Sequence, residues 1–247
     1  MILEVVSQQT QIARAIERAN RFVARFPSPA VLADASPADA IREWSGLGYY
    51  RRAINLRLAA IRIVEDHEGE VPRDLDALER LPGVGPYTAR AIAVHAFGRT
   101  VAPLDTNLRR VLTRFSGSAE NLQERADEFV ATGRSAAVVR ALMDLAALVC
   151  RPAAPECDAC PLSSACASAF AVHPAAPARS AAPPFIGSRR WVRGRILERL
   201  SAADAWVSME SLGAALPDAD VADVVRRMAV DGLVELDDGN VRLATRT

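Results

Sequence analysis

The sequence contains no lysine, and all 30 of its basic residues are arginine, balanced by 30 acidic residues to a formal net charge of zero. Without a lysine side chain, the protein cannot use a lysine amine to form a Schiff base, which excludes one form of covalent catalysis. Zero net charge gives no overall attraction to nucleic acid, so any such partner would need locally clustered arginines. Three clusters occur: Arg51, Arg52, Arg57 and Arg62; Arg109, Arg110 and Arg114; Arg189, Arg190, Arg193 and Arg195. Each predicts either phosphate contacts or a solvated helix face.

Long hydrophobic runs are also missing, although half of the residues are hydrophobic. A membrane-spanning helix needs about 20 consecutive apolar residues, and no segment approaches that length. The sequence also shows no secretory signal. We therefore expect no membrane association and a cytoplasmic protein, associated with the nucleoid if it binds DNA.

Cysteine is scarce, and its four copies share one window with the spacing C-x6-C-x2-C-x5-C: Cys150, Cys157, Cys160 and Cys166. Prolines within this window disfavour helix, so the backbone can wrap around one point. The pattern favours four thiolates holding a [4Fe–4S] cluster. The alternatives are a tetrahedral zinc ion, although only Cys157 and Cys160 form the C-x2-C pair typical of zinc ribbons, and two disulfides, which suit secreted proteins better.

The pattern of apolar residues before the cysteines predicts an all-α main body. One amphipathic helix is expected from Val5 to Phe26, on apolar residues that recur at three- and four-residue steps. Further helices are expected from Ser36-Pro37, from about Tyr50 to His67, after Asp74, from Pro86 to Phe97, from Thr106 or Asn107, and from a Ser135 cap to Cys150.

The pattern changes after the cysteines. Residues 168–188 are rich in alanine, proline and serine and predict a linker. Beyond it, three helices precede two short strands, 233–236 and 241–243, joined by turn residues. This order predicts a small α+β winged-helix domain over 189–247, for DNA binding, protein contact or packing.

Two segments carry the residues most suited to chemistry. Leu81-Pro-Gly-Val-Gly-Pro-Tyr87 lies between two predicted helices, over about 78–97, where Gly83 and Gly85 permit turns that lead into a helix N-terminus. Backbone N–H groups at such a place bind a phosphate, unless the glycines serve only tight packing. Asp105 follows an apolar approach and begins a helix, so it is either a simple N-cap or an active-site carboxylate.

The order LPGVG, Asp105 and the cysteine window resembles the helix-hairpin-helix (HhH-GPD) DNA glycosylase superfamily. Four segments resemble its MutY-type branch, which removes adenine from mismatches: EVVSQQT at 4–10, GLGYY at 46–50, LDTN at 104–107 and MDL at 143–145. The resemblance covers residues 2–170, and the tail is similar to that of some actinobacterial members. It implies a six-helix barrel domain over 1–149, an iron–sulfur cluster loop over 150–167, and adenine removal opposite 8-oxoguanine or guanine during base excision repair.

The resemblance also implies roles for individual residues. Glu4 matches the general acid that protonates adenine, and Asp105 the carboxylate that stabilises positive charge on the sugar. Tyr87 stands where strand-cleaving members carry lysine, so hydrolysis without lyase activity is implied. The residues matching DNA contacts are Gln8, Gln9, Thr10, Leu47, Tyr49, Gly83, Gly85 and Asn107. The implied partner is duplex DNA with a mismatched or oxidised pair, bound by a monomer.

Two other functions stay open at this point. Thymine or uracil mismatch glycosylases share the tyrosine and the aspartate, although the EVVSQQT segment disfavours them. A non-catalytic iron–sulfur DNA-binding module is the other, because the sequence begins three residues before Glu4, whereas the family has a preceding helix. We therefore expect either a start further upstream or a fragment. The family's C-terminal domain for 8-oxoguanine is also missing.

Overall fold

The computed structural model describes residues 1–8, 10–171, 184–203 and 205–245. These residues form thirteen α-helices and three short strands, and none of the helices is long and apolar enough to cross a membrane. The helices are α1 Ile2–Ser7, α2 Ile12–Arg25, α3 Pro29–Asp34, α4 Pro37–Glu43, α5 Arg51–His67, α6 Leu75–Glu79, α7 Pro86–Phe97, α8 Thr106–Ser116, α9 Leu122–Val130, α10 Ser135–Leu148, α11 Arg189–Ala203, α12 Met209–Ala215 and α13 Val221–Val230. The strands are β1 Val207–Ser208, β2 Val234–Asp237 and β3 Asn240–Leu243. The predicted, mainly helical fold with a small C-terminal sheet is confirmed.

Helix starts follow the capping residues of the sequence. Ser36 accepts a hydrogen bond from the Asp39 N–H at 3.1 Å while the Asp39 carboxylate accepts from the Ser36 N–H at 3.2 Å, a complete capping box before α4. Asp74 accepts from the Ala77 N–H at 3.0 Å and so begins α6. Such caps are each worth about 1 kcal/mol, which explains why these boundaries were predictable. The prediction that Ser135 is the N-cap of α10 was wrong. Ser135 is the first residue of this helix, and the N-cap is Arg134.

The single helix expected from Val5 to Phe26 was also wrong. It is two helices, α1 and α2, separated by a turn in which the Thr10 N–H donates to the Ser7 carbonyl at 3.1 Å. The buried face of α2 also differs from the expected one. Ile16 is 46% exposed, whereas Phe22 is 1% exposed. Both faces of α2 carry apolar residues, so periodicity alone could not identify the inner one.

The described residues divide into two compact units. The first unit contains residues 2–72, 81–83 and, at the C-terminal end, 184–245. The core of its α1–α5 part is formed by Phe22, Ile41 and Trp44, none more than 1% exposed. The rings of Phe22 and Trp44 meet edge to face, with centroids 5.7 Å apart and planes at 87°.

The C-terminal part of the first unit has the predicted winged-helix arrangement. Its sheet has the antiparallel order β1-β3-β2, with Val207 opposite Val241 and Val234 opposite Leu243. The β2–β3 turn is Asp238-Gly239, and both residues have positive φ, 39° and 74°. This is the backbone that a two-residue type I′ turn requires, so the sequence Asp-Gly explains the tight hairpin. The short strand β1 was not predicted. Residues 172–183 of the expected 168–188 linker lie outside the described residues.

The winged helix packs on α4 and α5 within the first unit. The Ala38 N–H at the start of α4 donates to the Ala244 carbonyl at 2.8 Å, just after β3. Arg51 at the start of α5 pairs with Asp231 at 2.5 Å, and Arg193 of α11 reaches the same carboxylate at 3.5 Å. These contacts join the tail to the N-terminal helices by backbone and side-chain bonds together.

The second unit contains residues 73–80 and 84–171 among those described. Its central helix is α7, where Ala89, Ala91, Ile92, Ala93 and Val94 are buried. Small side chains on several faces allow neighbouring helices to approach α7 closely. Phe115 of α8 and Phe129 of α9 meet edge to face at 5.4 Å and close one end of this interior.

Candidate active site

The loop at residues 46–50, which we call the 46–50 loop, has an unusual backbone. Gly46, Gly48 and Tyr49 all have positive φ, at 81°, 68° and 47°. A tyrosine rarely adopts this conformation, and such strain persists only where surrounding contacts enforce it. The Tyr49 side chain is 45% exposed, so the strain does not serve burial. The loop instead presents an aromatic ring to the outside of the first unit.

Two side chains from neighbouring helices hold the 46–50 loop. The Trp44 indole N–H donates to the Gly48 carbonyl at 3.0 Å, and the Arg14 guanidinium donates to the Gly46 carbonyl at 2.6 Å. A Cβ on Gly46 would lie 3.3 Å from that guanidinium, in a backbone conformation that already disfavours any side chain. Glycine at position 46 therefore allows both the turn and the approach of Arg14.

Arg52 joins the 46–50 loop to the end of α1. Its Nη1 donates to the carbonyls of Val5 at 2.9 Å, Val6 at 3.3 Å and Gln8 at 2.6 Å. Its Nη2 lies 3.4 Å from the carbonyls of Leu47 and Gly48. One guanidinium thus binds carbonyls from the end of α1 and from the 46–50 loop, since its planar fork offers several donors at once.

Two aromatic rings lie beside the Arg52 guanidinium. The guanidinium lies 5.2 Å from the Trp44 ring centroid and 5.5 Å from that of Tyr49. Burial lowers the pKa of Arg52 below its ordinary value, while the charge of Tyr49 acts in the opposite direction. An arginine pKa starts so high that the side chain stays protonated at neutral pH. Arg52 is therefore a permanent cation between the end of α1 and the 46–50 loop.

Glu4 lies on α1, beside the segment that Arg52 holds. Its side chain is half-buried, and the next two residues, Val5 and Val6, are buried. The Ser7 hydroxyl donates to the Glu4 carbonyl at 3.0 Å and closes the helix. After α1, the Thr10 hydroxyl contacts the Gln8 carbonyl at 3.4 Å. Gln9, an expected DNA contact, lies outside the described residues.

In the turn between α6 and α7, only one of the two glycines has a backbone conformation that other residues disfavour. Gly83 has φ 79°, and a Cβ there would lie 2.8 Å from the Cβ of Asn55. Gly85 has φ −95° and would meet nothing, so the expectation that it needs a special backbone was wrong. Gly85 is the N-cap of α7, Pro86 follows, and Tyr87 is half-buried in the first turn.

Asp105 is both an N-cap and the centre of a small polar network in the second unit. One carboxylate oxygen accepts from the N–H groups of Asn107 at 2.9 Å and Leu108 at 2.7 Å. The other accepts from the Asn107 side-chain amide at 3.0 Å. Arg110 in turn donates to the Asn107 amide oxygen at 2.9 Å. The carboxylate is therefore fixed in direction at the positive end of α8.

The approach to Asp105 is held by Asp127 of α9. Its carboxylate accepts hydrogen bonds from the Arg90 guanidinium of α7 at 2.8 and 2.9 Å and from the backbone N–H of Ala102 at 2.7 Å. Gln123 donates to the same carboxylate at 3.1 Å. A single acid thus anchors the non-helical segment that leads into Asp105, which gives this apolar approach a defined path.

The four cysteines line one cavity of the second unit, together with Arg114 and Pro155. None forms a disulfide, so that alternative is wrong. Arg114 donates to the Cys150 sulfur at 3.5 Å, and the Phe170 N–H donates to the Cys157 sulfur at 3.4 Å. Among the described residues, no group of three or more His, Cys, Asp or Glu side chains is arranged to hold a metal ion.

Arginines also fix the backbone of this cysteine loop. Arg110 donates to the Cys150 carbonyl at 2.9 Å and to the Ala146 carbonyl at 2.8 Å. Arg114 donates to the carbonyls of Arg151 at 2.8 Å and Pro152 at 2.6 Å. Two members of the second arginine cluster therefore bind protein carbonyls. This contradicts the purely solvated helix face that the sequence left open for them.

The structure thus brings some of the expected residues together and places others separately. Gln8 and Leu47 meet through Arg52 in the first unit, whereas Tyr87 and Asp105 begin two helices of the second unit. The sequence did not predict that Arg52 and Arg110 hold loops in place by binding backbone carbonyls. Their clustering with other arginines was visible, but nothing in it separates a carbonyl-binding arginine from a surface one.

Comparison with known proteins identifies the family. The family described as HhH-GPD superfamily base excision DNA repair protein matches residues 2–132. The chain belongs to this superfamily. It is 36% identical to the adenine DNA glycosylase of Mycolicibacterium smegmatis, over 99% of this chain and 86% of that protein. It is 38% identical to the adenine DNA glycosylase of Mycobacterium tuberculosis, over 87% of this chain and 74% of that protein.

Solved structures agree with membership of the HhH-GPD superfamily. A thermostable thymine-DNA glycosylase superposes with a TM-score of 0.63 at 29% identity, covering 68% of this chain and 81% of that one. A non-covalent endonuclease III–DNA complex gives a TM-score of 0.59 at 24% identity, covering 68% of this chain and 81% of that one. The latter likeness concerns the fold alone. The family predicted from LPGVG, Asp105 and the cysteine spacing is confirmed.

Proposed function

We propose that this protein is an adenine DNA glycosylase that acts in base excision repair on adenine opposite 8-oxoguanine or guanine. The observation that carries the proposal is the match to the Mycolicibacterium smegmatis adenine DNA glycosylase over 99% of this chain. The match includes the C-terminal tail as well as the helical body. DNA glycosylase activity follows from the superfamily, and the mismatch specificity is the finer part of the proposal.

Two carboxylates divide the chemistry in this proposal. Glu4 protonates a ring nitrogen of the extruded adenine, so that the electron pair of the breaking C–N bond leaves with a neutral base. Asp105 stays ionised and stabilises the positive charge that develops on the sugar. Water adds to the sugar carbon and releases a proton, which leaves an abasic site. The bonds that fix the direction of the Asp105 carboxylate support this electrostatic role.

The proposed reaction ends at base removal. Tyr87 lies in the first turn of α7, at the position implied for the lysine of strand-cleaving relatives, and the sequence contains no lysine at all. Without a lysine amine, no lysine Schiff base with the sugar can form. Purified protein should therefore leave abasic sites that break only after alkali. A covalent protein–DNA complex trapped by borohydride would contradict this.

The expected DNA contacts belong to three places. The end of α1 carries Gln8 and Thr10, the 46–50 loop carries Leu47 and the half-exposed Tyr49, and the turn before α7 carries Gly83 and Gly85. We propose that Tyr49 occupies the space left by the extruded base, since its ring is presented by a strained and well-held loop. Asn107 acts on DNA together with Asp105, whose carboxylate it binds.

We propose that the four cysteines hold a [4Fe–4S] cluster, the group usual in this superfamily. The support is the chemistry of the donor set: all four thiols line one cavity, and two of their sulfurs accept N–H hydrogen bonds. Such bonds to sulfur are one means by which proteins tune these clusters. Among the described residues the thiols do not stand in the close arrangement of a filled metal site, so loading would draw them together. The cluster would hold the loop after α10 in place.

Two substitutions test the adenine proposal. Glu4→Gln removes the proton donor, and Asp105→Asn removes the negative charge while asparagine still caps the helix. We expect each to lower the single-turnover rate of adenine release by at least about 100-fold, as for other single catalytic groups, with duplex binding retained. Unchanged rates in both variants would contradict the assignment.

A substrate panel separates the alternatives. The structural likeness to a thymine-DNA glycosylase makes thymine opposite guanine the second substrate to test, followed by uracil opposite guanine. We expect release of adenine opposite 8-oxoguanine or guanine and none of thymine or uracil. Binding without release of any base would support the non-catalytic alternative. Gel filtration tests the expected monomer.

A further inference from the structure

An open groove of about 580 Å³ lies within the first unit, between the 46–50 loop and the tail. One wall is the 46–50 loop together with Arg14 of α2. The other wall is the N-terminal half of α11, with Phe185 preceding it. We call this the tail groove. It therefore lies next to the loop proposed to enter DNA.

The tail groove is strongly basic. Its lining residues include four arginines and one acid: Arg14, Arg190, Arg193, Arg195 and Glu198. Glu198 pairs with Arg195 at 2.7 Å, an exposed pair of the kind that contributes little and can exchange partners. Asp231 does not line the groove. Its carboxylate pairs with Arg193, but it also pairs with Arg51, so it neutralises the charge of Arg193 only in part. The groove therefore keeps a net positive charge.

Two of these arginines contact neutral groups of the protein. Arg14 donates to the Gly46 carbonyl, and Arg190 lies over the Phe185 ring with 4.9 Å to its centroid. A guanidinium stacked on a ring keeps its charge and its outward N–H groups, so it can still bind a phosphate in a bidentate manner. Phe185 is 53% exposed, and Tyr49 on the opposite wall is 45% exposed. Arginines interleaved with exposed rings fit a nucleic-acid backbone.

The third helix of the winged fold, α13, is less suited to DNA. This is the helix that usually enters the groove in helix-turn-helix proteins. Its Asp223 holds Arg227 at 3.0 Å and also Arg189 of α11 at 3.6 Å. Its N-cap is another acid, Asp220. The cations of α13 are thus partly compensated, while the tail groove keeps its excess of positive charge.

We propose that the tail groove binds backbone phosphates of the DNA duplex beside the mismatch, so that the tail contacts DNA through α11 rather than α13. The proposal rests on the proposed function for the position of the mismatch at the 46–50 loop. It gives the winged helix a definite role: extending the positive surface that receives the substrate.

The test compares pairs of substitutions that remove equal charge from the tail. Arg190→Gln with Arg195→Gln changes the groove, and both side chains are exposed, so folding should be preserved. Arg226→Gln with Arg227→Gln is the matched control on α13. Arg190→Lys with Arg195→Lys keeps the charge and should restore binding, since lysine binds phosphate as a point charge. Equal thermal unfolding midpoints within each pair confirm intact folds.

Binding is measured by fluorescence anisotropy from 50 to 200 mM salt. The duplex carries a 2′-fluorinated adenosine opposite 8-oxoguanine, because fluorine opposes positive charge on the sugar and so prevents cleavage. The plot of log association constant against log salt concentration has a negative slope. Each lost phosphate contact should make this slope shallower by about 0.9. We expect the glutamine pair in the groove to make the slope shallower by about 1 to 2, with binding about 10- to 60-fold weaker at 100 mM salt.

The outcomes separate this inference from the proposed function. If the groove variant binds like wild type, or if the α13 control loses as much affinity, the tail-groove proposal is overturned whatever the enzyme cleaves. If the groove variant alone loses affinity while wild type releases no adenine from any mismatch, the groove stands and the adenine proposal falls. If wild type binds no duplex at all, both are wrong.

Discussion

Arg52→Ala should destabilise the protein more than the loss of an exposed arginine of α5. It removes five hydrogen bonds to carbonyls, of which those to Gln8 at 2.6 Å and Val5 at 2.9 Å have the best geometry. A hydrogen bond from a charged donor contributes about 1.5 to 3 kcal/mol net. Taking the lower value for the two short bonds gives a loss of about 3 kcal/mol. For a chain of this size, that corresponds to a fall of about 6 to 12 °C in Tm.

The matched control for this prediction is Arg62→Ala on the same helix. Arg62 is exposed and pairs only with surface acids, at 2.9 Å to Asp66 and 3.7 Å to Glu65, so its loss should change stability by less than about 1 kcal/mol. Both variants are compared by thermal and urea unfolding, followed by single-turnover adenine release. Equal losses of stability would refute the special role of Arg52. Normal single-turnover adenine release by a destabilised Arg52→Ala protein would refute its role in holding the 46–50 loop.

Three further substitutions have definite expected outcomes. Gly83→Ala should cost about 1 to 3 kcal/mol in urea unfolding, because the added Cβ clashes at 2.8 Å in a left-handed turn, while Gly85→Ala should cost less than about 1 kcal/mol. Asp127→Ala should cost about 2 to 3 kcal/mol, since it leaves a half-buried guanidinium and a backbone N–H without their acceptor; a loss under 1 kcal/mol would contradict this. The hydrogen bond from Arg227 lowers the pKa of Asp223 below its ordinary 3.8. That stabilisation is present above about pH 4 and is lost as pH falls further, so wild type and Asp223→Asn should converge in acid unfolding; a constant difference would argue against the pair.

Much of the fold could be predicted because its boundaries depend on local chemistry. Ser36 and Asp74 cap helices through bonds to residues three positions away, and Asp238-Gly239 determines a hairpin turn by its own conformational preferences. The family followed from motifs in order. The helix expected from Val5 to Phe26 failed for a different reason. The chain turns after Ser7, where the Thr10 N–H donates to the Ser7 carbonyl, and α2 then buries Phe22 against Trp44, a distant residue that periodicity does not specify.

The sequence could propose the reacting groups of the candidate site, but not the side chains that hold them in place. Asp105 could be identified because its position in the motif order is informative, but its amide and arginine partners act through side-chain directions. Arg52, Arg110 and Arg114 bind carbonyls of loops that precede or follow them by up to 47 residues. An arginine looks the same in sequence whether it faces water or collects carbonyls, so these roles required coordinates.

The 46–50 loop has a consequence for how the protein searches DNA. Its left-handed residues are already fixed by Arg52, Trp44 and Arg14 before any ligand arrives. The conformational entropy of ordering the loop is therefore lost during folding and not at each encounter with a base pair. In the proposed function, the remaining cost of recognition then lies in the duplex, in unstacking the base. Discrimination between a mismatch and a normal pair becomes a matter of how easily the DNA opens against a rigid probe.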